Sequence, residues 1–471
     1  MHRHRWRWAA LATLLTAEAM NLLDATIVQV AAPVIHADLG GPAADIQWYA
    51  AAYTLPFAML LITGGRLGDI VGRRRVFRIG VTGFVLASVA CALAGSAGTM
   101  IAARAVQGCA AALVIPQTFG LIKSMFTGPE TARALGTIGP VMGLSAVCGP
   151  ALGGILTHAD LFGSSWRAVF LVNVPLGVAV LLAAPLLAED RSPDRPRLAL
   201  VGTALAAVGT GLVVYPLIAP GRHWTVLAVG VATLALFGLH QRRAAHPLIE
   251  GSLFGNRGFP AALVCSALFF AAMNGLMLVV VVHLQLGLGA DVLTAGLTML
   301  PWSGGMAVAS WVAGAHLVPR YGARVMHAGL ATMLTGVLGA VAVYATAGGY
   351  PWPLLGALAV CGTGLGLFTV PFFTTALHRV RPHETGSAAG LLNAVQQLGG
   401  TLGTALLGSV FLGTFAATGS ATGAAGRAFW VGGGLLVATG VAVRVMTSGP
   451  RGVSPKDARQ PAAAGHNSRG G

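Results

Sequence analysis

Three ionisable side chains stand inside long apolar runs of this 471-residue chain: Glu18, Asp24 and Arg104. A charge at the centre of a membrane helix costs about 2.5–3.5 kcal/mol on insertion scales, so each needs a partner or a task. Glu18, Asn21 and Asp24 step by three, and each such step turns a helix by about −60°. They form one slanting polar stripe, expected to face a central cavity. Asp24 can pair with Arg104. Burial and a neighbouring guanidinium act in opposite directions on a carboxylate's hold on its proton. A conformational change that makes or breaks the pair would therefore move a proton. The chemistry on offer is proton exchange, at Asp24 with Arg104 as switchable partner and Glu18 as second candidate. A static ion pair that only orders a bundle is the alternative reading.

The elements that must position these residues are membrane helices. Hydrophobic residues make up 55% of the chain and charged residues 9%, against roughly 25% charged in a soluble protein, and mean hydropathy is +0.75. Apolar runs of about 20 residues recur from end to end, each long enough to cross a hydrocarbon layer. The alternating ten-residue pattern of a membrane barrel is absent, and 66 glycines suit close helix packing in lipid. The chain therefore reads as an all-α polytopic membrane protein. Spans are expected near 10–33, 46–65, 77–98, 100–122, 134–157, 168–188, 198–219, 223–240, 259–283, 293–317, 325–346, 352–377, 386–413 and 428–446. The basic segment Met1 to Trp8 leads into an uncleaved first span, and the tail from Thr447 is expected to be disordered.

Loop charges orient this map. With the N-terminus inside, the inside segments hold most of the arginines, Arg66, Arg73, Arg74, Arg75 and Arg78 among them, and the outside segments hold Arg167, Arg222 and Arg427. That asymmetry requires an even number of spans and puts both termini in the cytoplasm, with the chain in the inner (plasma) membrane. It also accounts for the net charge of +15 without nucleic-acid binding. An internal repeat is visible: Gly64, Leu67, Gly72 and Arg74 recur 250 residues on as Gly314, Leu317, Gly322 and Arg324, and Gly149 and Gly153 recur as Gly399 and Gly403. Paired halves around a central site are a transporter architecture. The expected division is a six-helix bundle over 1–190, two additional helices with linkers over 191–257, a second six-helix bundle over 258–446, and a tail over 447–471.

The segment Gly65-Arg66-Leu67-Gly68-Asp69-Ile70-Val71-Gly72-Arg73-Arg74 resembles the signature loop between the second and third spans of the major facilitator superfamily. Its glycines allow a tight turn and close helix approach, and Asp69 can pair with arginines or cap a helix start. A loop so held could latch one conformation. Other segments resemble the fourteen-helix drug:proton antiporter branch: Leu23-Asp24-Ala25-Thr26-Ile27-Val28, followed by Gln29 where that branch usually has Asn; Ile101 to Gly108 in the fourth span; Gly139, Gly143, Gly149, Pro150, Gly153 and Gly154 in the fifth; and Trp166 to Pro175. The resemblance implies two pseudo-symmetric six-helix bundles plus two additional central helices, alternating access, and an antiporter-specific bend at Gly149-Pro150. It further implies a monomer whose partners are protons, a small-molecule substrate and the lipid bilayer. It is dense in the N-terminal half and thin after about residue 260.

Candidate cavity residues are neutral: Asn21, Gln29, Asn274, and Asn393, Gln396 and Gln397 on one face of the thirteenth span. Interhelical polar glue is the alternative for the last three. Gln285, Trp302 and Trp311 are weaker candidates, and His283 reads as interfacial or pH-sensitive. No acidic residue falls inside the second-half spans; Asp291 and Glu384 fall in loops. No cofactor or metal is expected, since the five cysteines show no ligand spacing. Neither a phosphate-binding GxxxxGK[ST] loop nor HExxH is present, and no paired carboxylates face a Ser or His, which argues against an enzyme or an ATP-driven pump. The expected function is export of hydrophobic small molecules, drugs or antibiotics, in exchange for protons. A proton-coupled transporter of one metabolite is the alternative.

Overall fold

The computed structural model describes residues 6–160, 163–191, 198–219, 221, 223–244, 249, 251–255, 257–346, 350–378, 380–381 and 385–448, with no strand among them. The expected disordered tail lies outside the described residues, apart from Thr447 and Ser448. Among the described residues, fourteen helices are long and apolar enough to cross a membrane: Arg7–Leu39, Asp45–Val71, Arg73–Ala92, Ala97–Met125, Val141–His158, Ser165–Leu186, Leu200–Ile218, Trp224–Arg243, Gly258–Gly287, Val292–Tyr321, Arg324–Thr346, Leu354–Leu377, Ser387–Thr418 and Ala421–Thr447. They are called spans one to fourteen.

Each expected span has its helix, but several helices run longer. The second continues to Val71 rather than 65, the third begins at Arg73 rather than 77, and the last begins at Ala421 rather than 428. Apolarity marks the stretch that lipid can accept. A helix already nucleated extends past that stretch at small cost, one hydrogen bond per residue. In a lipid interior this internal pairing is also the only way for a single segment to satisfy its backbone.

The pairing of spans repeats between halves. Spans two and four pack as ten and twelve do, three and four as eleven and twelve, and one and five as nine and thirteen. The repeated glycines share these roles. Gly149 and Gly153 lie against Thr26 and Ile27 of the first span, while Gly399 and Gly403 lie against Ala267 and Ala271 of the ninth. Gly72 and Gly322, which close the second and tenth spans, both take positive φ (116° and 55°), a conformation open to glycine at little cost.

The two additional helices are central in sequence and peripheral in space. The seventh covers the seam between spans two and thirteen: Val214 and Ile218 pack with Ala51 and Ala405, and Thr203 meets Thr63 at 2.8 Å. The eighth packs on the seventh through Gly230 and Gly209, and its side chains are otherwise largely exposed.

The turn Val71–Arg78 marks an arginine-rich end. Contacts between halves gather from mid-span to the opposite, far end. Gln285 Nε2 donates to Val30 O at 2.8 Å, and His158 and Asp291 lie 3.6 Å apart. One apolar cluster joins Val28, Val30 and Ile35 to Val279, Val282 and Met299.

Candidate functional site

Asp24 lies near the middle of the first span and is wholly buried. Its Oδ2 accepts from Arg104 Nη1 at 2.5 Å. Its Oδ1 accepts from Gln107 Nε2 at 2.9 Å and from Asn173 Nδ2 at 2.8 Å. Arg104 follows from a helix start built in sequence: Ser96 and Thr99 form a capping box at the head of the fourth span, and Arg104 and Gln107 then share a face one turn apart. Its guanidinium is only 1% exposed. Nη1 also donates to Gln107 Oε1 at 2.6 Å, Nε donates to Tyr49 O at 3.0 Å, and the plane lies 4.4 Å from the Tyr53 ring centre. Ser88 of the third span accepts from Gln107 at 2.8 Å. The ion pair thus sits in a network drawn from spans one, two, three, four and six. Breaking such a pair by deleting one member leaves an uncompensated buried charge.

The polar stripe does not behave as one unit. Asp24 points into the interior of its own half, toward spans three, four and six, rather than into a central cavity. Asn21 Oδ1 accepts from Tyr53 OH at 2.9 Å. Glu18 is 3% exposed and carries no ion pair among the described residues. Thr118 is the hydroxyl beside it, yet Glu18 Oε1 and Thr118 Oγ1 both lack a well-formed hydrogen bond. The sequence placed Gln107 and Asn173 inside recognisable segments but gave them no role. The available signal was an amide one turn from an intramembrane arginine. Ser88 gave no such signal, because a lone serine hydroxyl in a span is usually satisfied by its own helix, as here by Phe84 O.

The neutral candidates divide. Gln29 Nε2 donates to Asn274 Oδ1 at 3.4 Å across the halves, and Thr54 meets Thr401 at 2.6 Å at the same seam. Asn393, Gln396 and Gln397 are half-buried on the thirteenth span, and Gln396 Oε1 is buried without a partner. His283 is not interfacial: it is fully buried, with its ring 4.8 Å from that of Tyr344, on a π-helical turn over His283–Gly287. Trp302 is buried as well, whereas Trp311 is exposed. Asp291 caps the tenth span through Thr294 N at 3.3 Å. The Thr294 hydrogen bond, chiefly, holds its carboxyl below the usual carboxylate range. Glu384 lies outside the described residues.

The signature segment is more helical than expected. Gly65, Gly68 and Asp69 belong to the second span, and only Gly72 makes the turn. Helical geometry persists because Gly68 is needed for closeness rather than bending: an added Cβ would meet the Gln117 side chain of the fourth span. Asp69 pairs with Arg73 at 2.7 Å. Arg73 also lies 3.5 Å from Asp190, and Arg74 lies 3.4 Å from Glu189, both just after the sixth span. Asp69, Arg73 and Arg74 are therefore fastened within their own half.

In the fifth span, Gly149 and Gly153 face the first span. Gly154 lies against Val292 and Leu293 of the tenth, and Pro150 O faces Gly296. The helix runs unbroken over Ile138–His158 through Pro150. One helix thus touches both halves with two different faces. Among the described residues, no group of three or more His, Cys, Asp or Glu side chains could hold a metal ion.

The sequence pattern of the Major Facilitator Superfamily matches residues 14–404. The chain is 44% identical over 437 residues to a probable actinorhodin transporter of Streptomyces coelicolor, covering 90% of this chain and 76% of that one. It is 36% identical to the puromycin resistance protein pur8 of Streptomyces alboniger (87% and 83% covered). It is also 36% identical to the cephamycin export protein CmcT of Amycolatopsis lactamdurans (84% and 84% covered). Among solved structures, a POT family transporter superposes with a TM-score of 0.68 at 13% identity, covering 93% of this chain and 97% of that one. The proton:xylose symporter XylE superposes with a TM-score of 0.62 at 14% identity, covering 95% and 97%. At those identities the structures speak for the fold.

Proposed function

The chain belongs to the major facilitator superfamily, and from that premise we propose that it exports hydrophobic small molecules of the antibiotic class in exchange for protons. Relatives named for actinorhodin, puromycin and cephamycin support the substrate class. The observation that carries the coupling is the wholly buried Asp24–Arg104 pair. An ion pair so enclosed is costly to form and costlier to break, so its partners give it two discrete states.

Asp24 and Glu18 divide the work in this reading. Asp24 is fully engaged by cation and amides in the present conformation. Glu18 has no cation, and burying it ionised would be costly, a cost that a proton removes. Glu18 is the proton carrier of this state, and Asp24 takes up a proton when Arg104 swings away. Asn21, Gln29, Asn274, Asn393, Gln396 and Gln397 offer the substrate neutral hydrogen-bonding groups. Gly65, Gly68, Asp69, Gly72, Arg73 and Arg74 brace the arginine-rich end, and Gly149, Pro150, Gly153 and Gly154 form the contact on which the halves rock. The arginine-rich end is cytoplasmic by its charge, as are both termini, and the host membrane is the bacterial plasma membrane. Contacts between the halves gather at the far end, and in this reading substrate enters from the cytoplasmic side. The protein works as a monomer of two six-helix halves, 1–190 and 258–446, with 191–257 as an appended pair.

The test is a drug-sensitivity panel in a pump-deficient host, with substrate-induced proton release measured in parallel. Wild type is expected to protect, and Asp24→Asn and Glu18→Gln to lose protection at equal membrane expression. Retained proton release in Asp24→Asn would remove Asp24 from the coupling role. Good expression with protection against nothing would favour a transporter of one native metabolite.

A further inference from the structure

An open groove of ≈ 810 Å³ lies on the outer surface of the N-terminal half, at the arginine-rich end and away from the buried network. Its mouth is formed by Arg74, Arg75 and Arg78. Arg74 is occupied by Glu189 and by Leu187 O, but Arg75 and Arg78 are exposed and carry no ion pair or hydrogen bond among the described residues. Below them the third span presents Ile79, Thr82 and Leu86, and the sixth span contributes Leu181 as the opposite wall. Gly83 also lines the groove, and its missing side chain lets the third span lie close to Ala110 of the fourth, 3.3 Å from an added Cβ.

The positions 75, 78/79, 82 and 86 follow one helix face, so the two free guanidiniums stand one turn apart above an apolar channel about 12 Å long. Topology alone explains arginines at this end, but not a channel opening beneath them. A soluble anion would use the charges and gain nothing from the channel. A neutral lipid would use the channel and leave two cations unmatched. We propose that this groove binds an anionic glycerophospholipid, with its phosphate between Arg75 and Arg78 and one acyl chain along Ile79, Leu86 and Leu181. Guanidinium forks suit phosphate oxygens, and basic pockets between spans on this side of a membrane take such headgroups. Glu189 also lines the groove, its carboxylate engaged by Arg74 at 3.4 Å, so an occupied groove adds negative charge beside the brace of the arginine-rich end.

The experiment is native mass spectrometry of the full chain titrated with phosphatidylglycerol, or with phosphatidylcholine of the same acyl chains. Wild type is expected to retain phosphatidylglycerol in preference. Arg75→Gln/Arg78→Gln is expected to weaken it roughly 25-fold, about fivefold for each basic residue near an anionic surface. Ile79→Trp keeps both charges, fills the channel, and is also expected to lose the lipid. Equal retention of the two lipids by wild type would overturn the proposal even if the double variant failed to fold. Unchanged binding by a folded double variant, or displacement of the lipid by millimolar inorganic phosphate alone, would overturn it as well.

Discussion

Midway along the first span Asp24 is held by Arg104, Gln107 and Asn173. At the 250-residue offset, in the ninth span, stands Asn274, which donates to Phe270 O at 3.0 Å and accepts from Gln29 at 3.4 Å. Around the first position the helices bury a charged network. The second half buries rings instead: Phe269 and Phe368 stack at 3.8 Å little more than one turn from Asn274, and farther toward the other end of the span Tyr344 sits between His283 and Phe429. The same pairing of helices therefore tolerates two kinds of interior. Backbone and glycine contacts set the fold of each half, and the side chains at the centre are free to diverge. The half that keeps buried charge is the one suited to exchange a proton.

Removing one partner on each side should separate the halves most clearly. Arg104→Ala leaves Asp24 buried and unpaired, at an expected cost of about 3–5 kcal/mol. Asn274→Ala deletes hydrogen bonds worth roughly 0.6 kcal/mol each in a membrane. Thermal unfolding in detergent should show a large drop for the first and a small one for the second. Comparable drops would mean that the two interiors are energetically alike.

A smaller contrast lies in the matched glycines. A Cβ at Gly399 would meet three backbone atoms of Ala267, the nearest 2.5 Å away, whereas at Gly149 it would meet chiefly Thr26, whose Oγ1 can turn aside but whose Cβ, at 2.7 Å, must shift with its helix. Gly399→Ala should lose about 1–3 kcal/mol by overpacking, and Gly149→Ala less. A reversed order in unfolding midpoints would show that the first span, not the ninth, is the more tightly held.

The smallest effect is expected at the far-end seam, where the halves meet. Asp291→Ala removes a helix cap worth about 1 kcal/mol. The Asp291 carboxyl is held below its usual range, so its contribution is present above the unfolded carboxylate value. It fades as pH falls through the lowered folded value. Wild type and variant should differ in unfolding midpoint at neutral pH and converge in acid. A difference that survives in strong acid would argue that the hydroxyl and backbone contacts, not the charge, hold this cap.

Much of this was legible in the chain itself. Fourteen apolar runs, the 250-residue recurrence and the Asp24–Arg104 pairing could be read from residue type and spacing, because lipid penalises every unpaired polar group and so leaves few places for one. Gln107 and Asn173 were not legible as partners of Asp24, nor Ser88 as the hydroxyl that accepts from both amides. They come from three spans that are distant in sequence, and an amide or hydroxyl costs too little in a span to announce its partner. His283 was misplaced for a related reason: its position near the end of an apolar run suggests an interface, but its ring is buried against Tyr344 of the eleventh span.

Sequence alone determined that the chain crosses a membrane, how often, with which end basic, and which carboxylates need an explanation. All of these follow from transfer energies summed along a line. Tertiary structure decided which way Asp24 points, that the fifth span serves both halves with two faces, and that, among the described residues, Glu18 lacks a cation and two arginines are left unpaired above an apolar channel. Those outcomes depend on the rotation of each helix about its axis. That rotation is set by packing against neighbours from elsewhere in the chain, and hydropathy along a single span does not contain it.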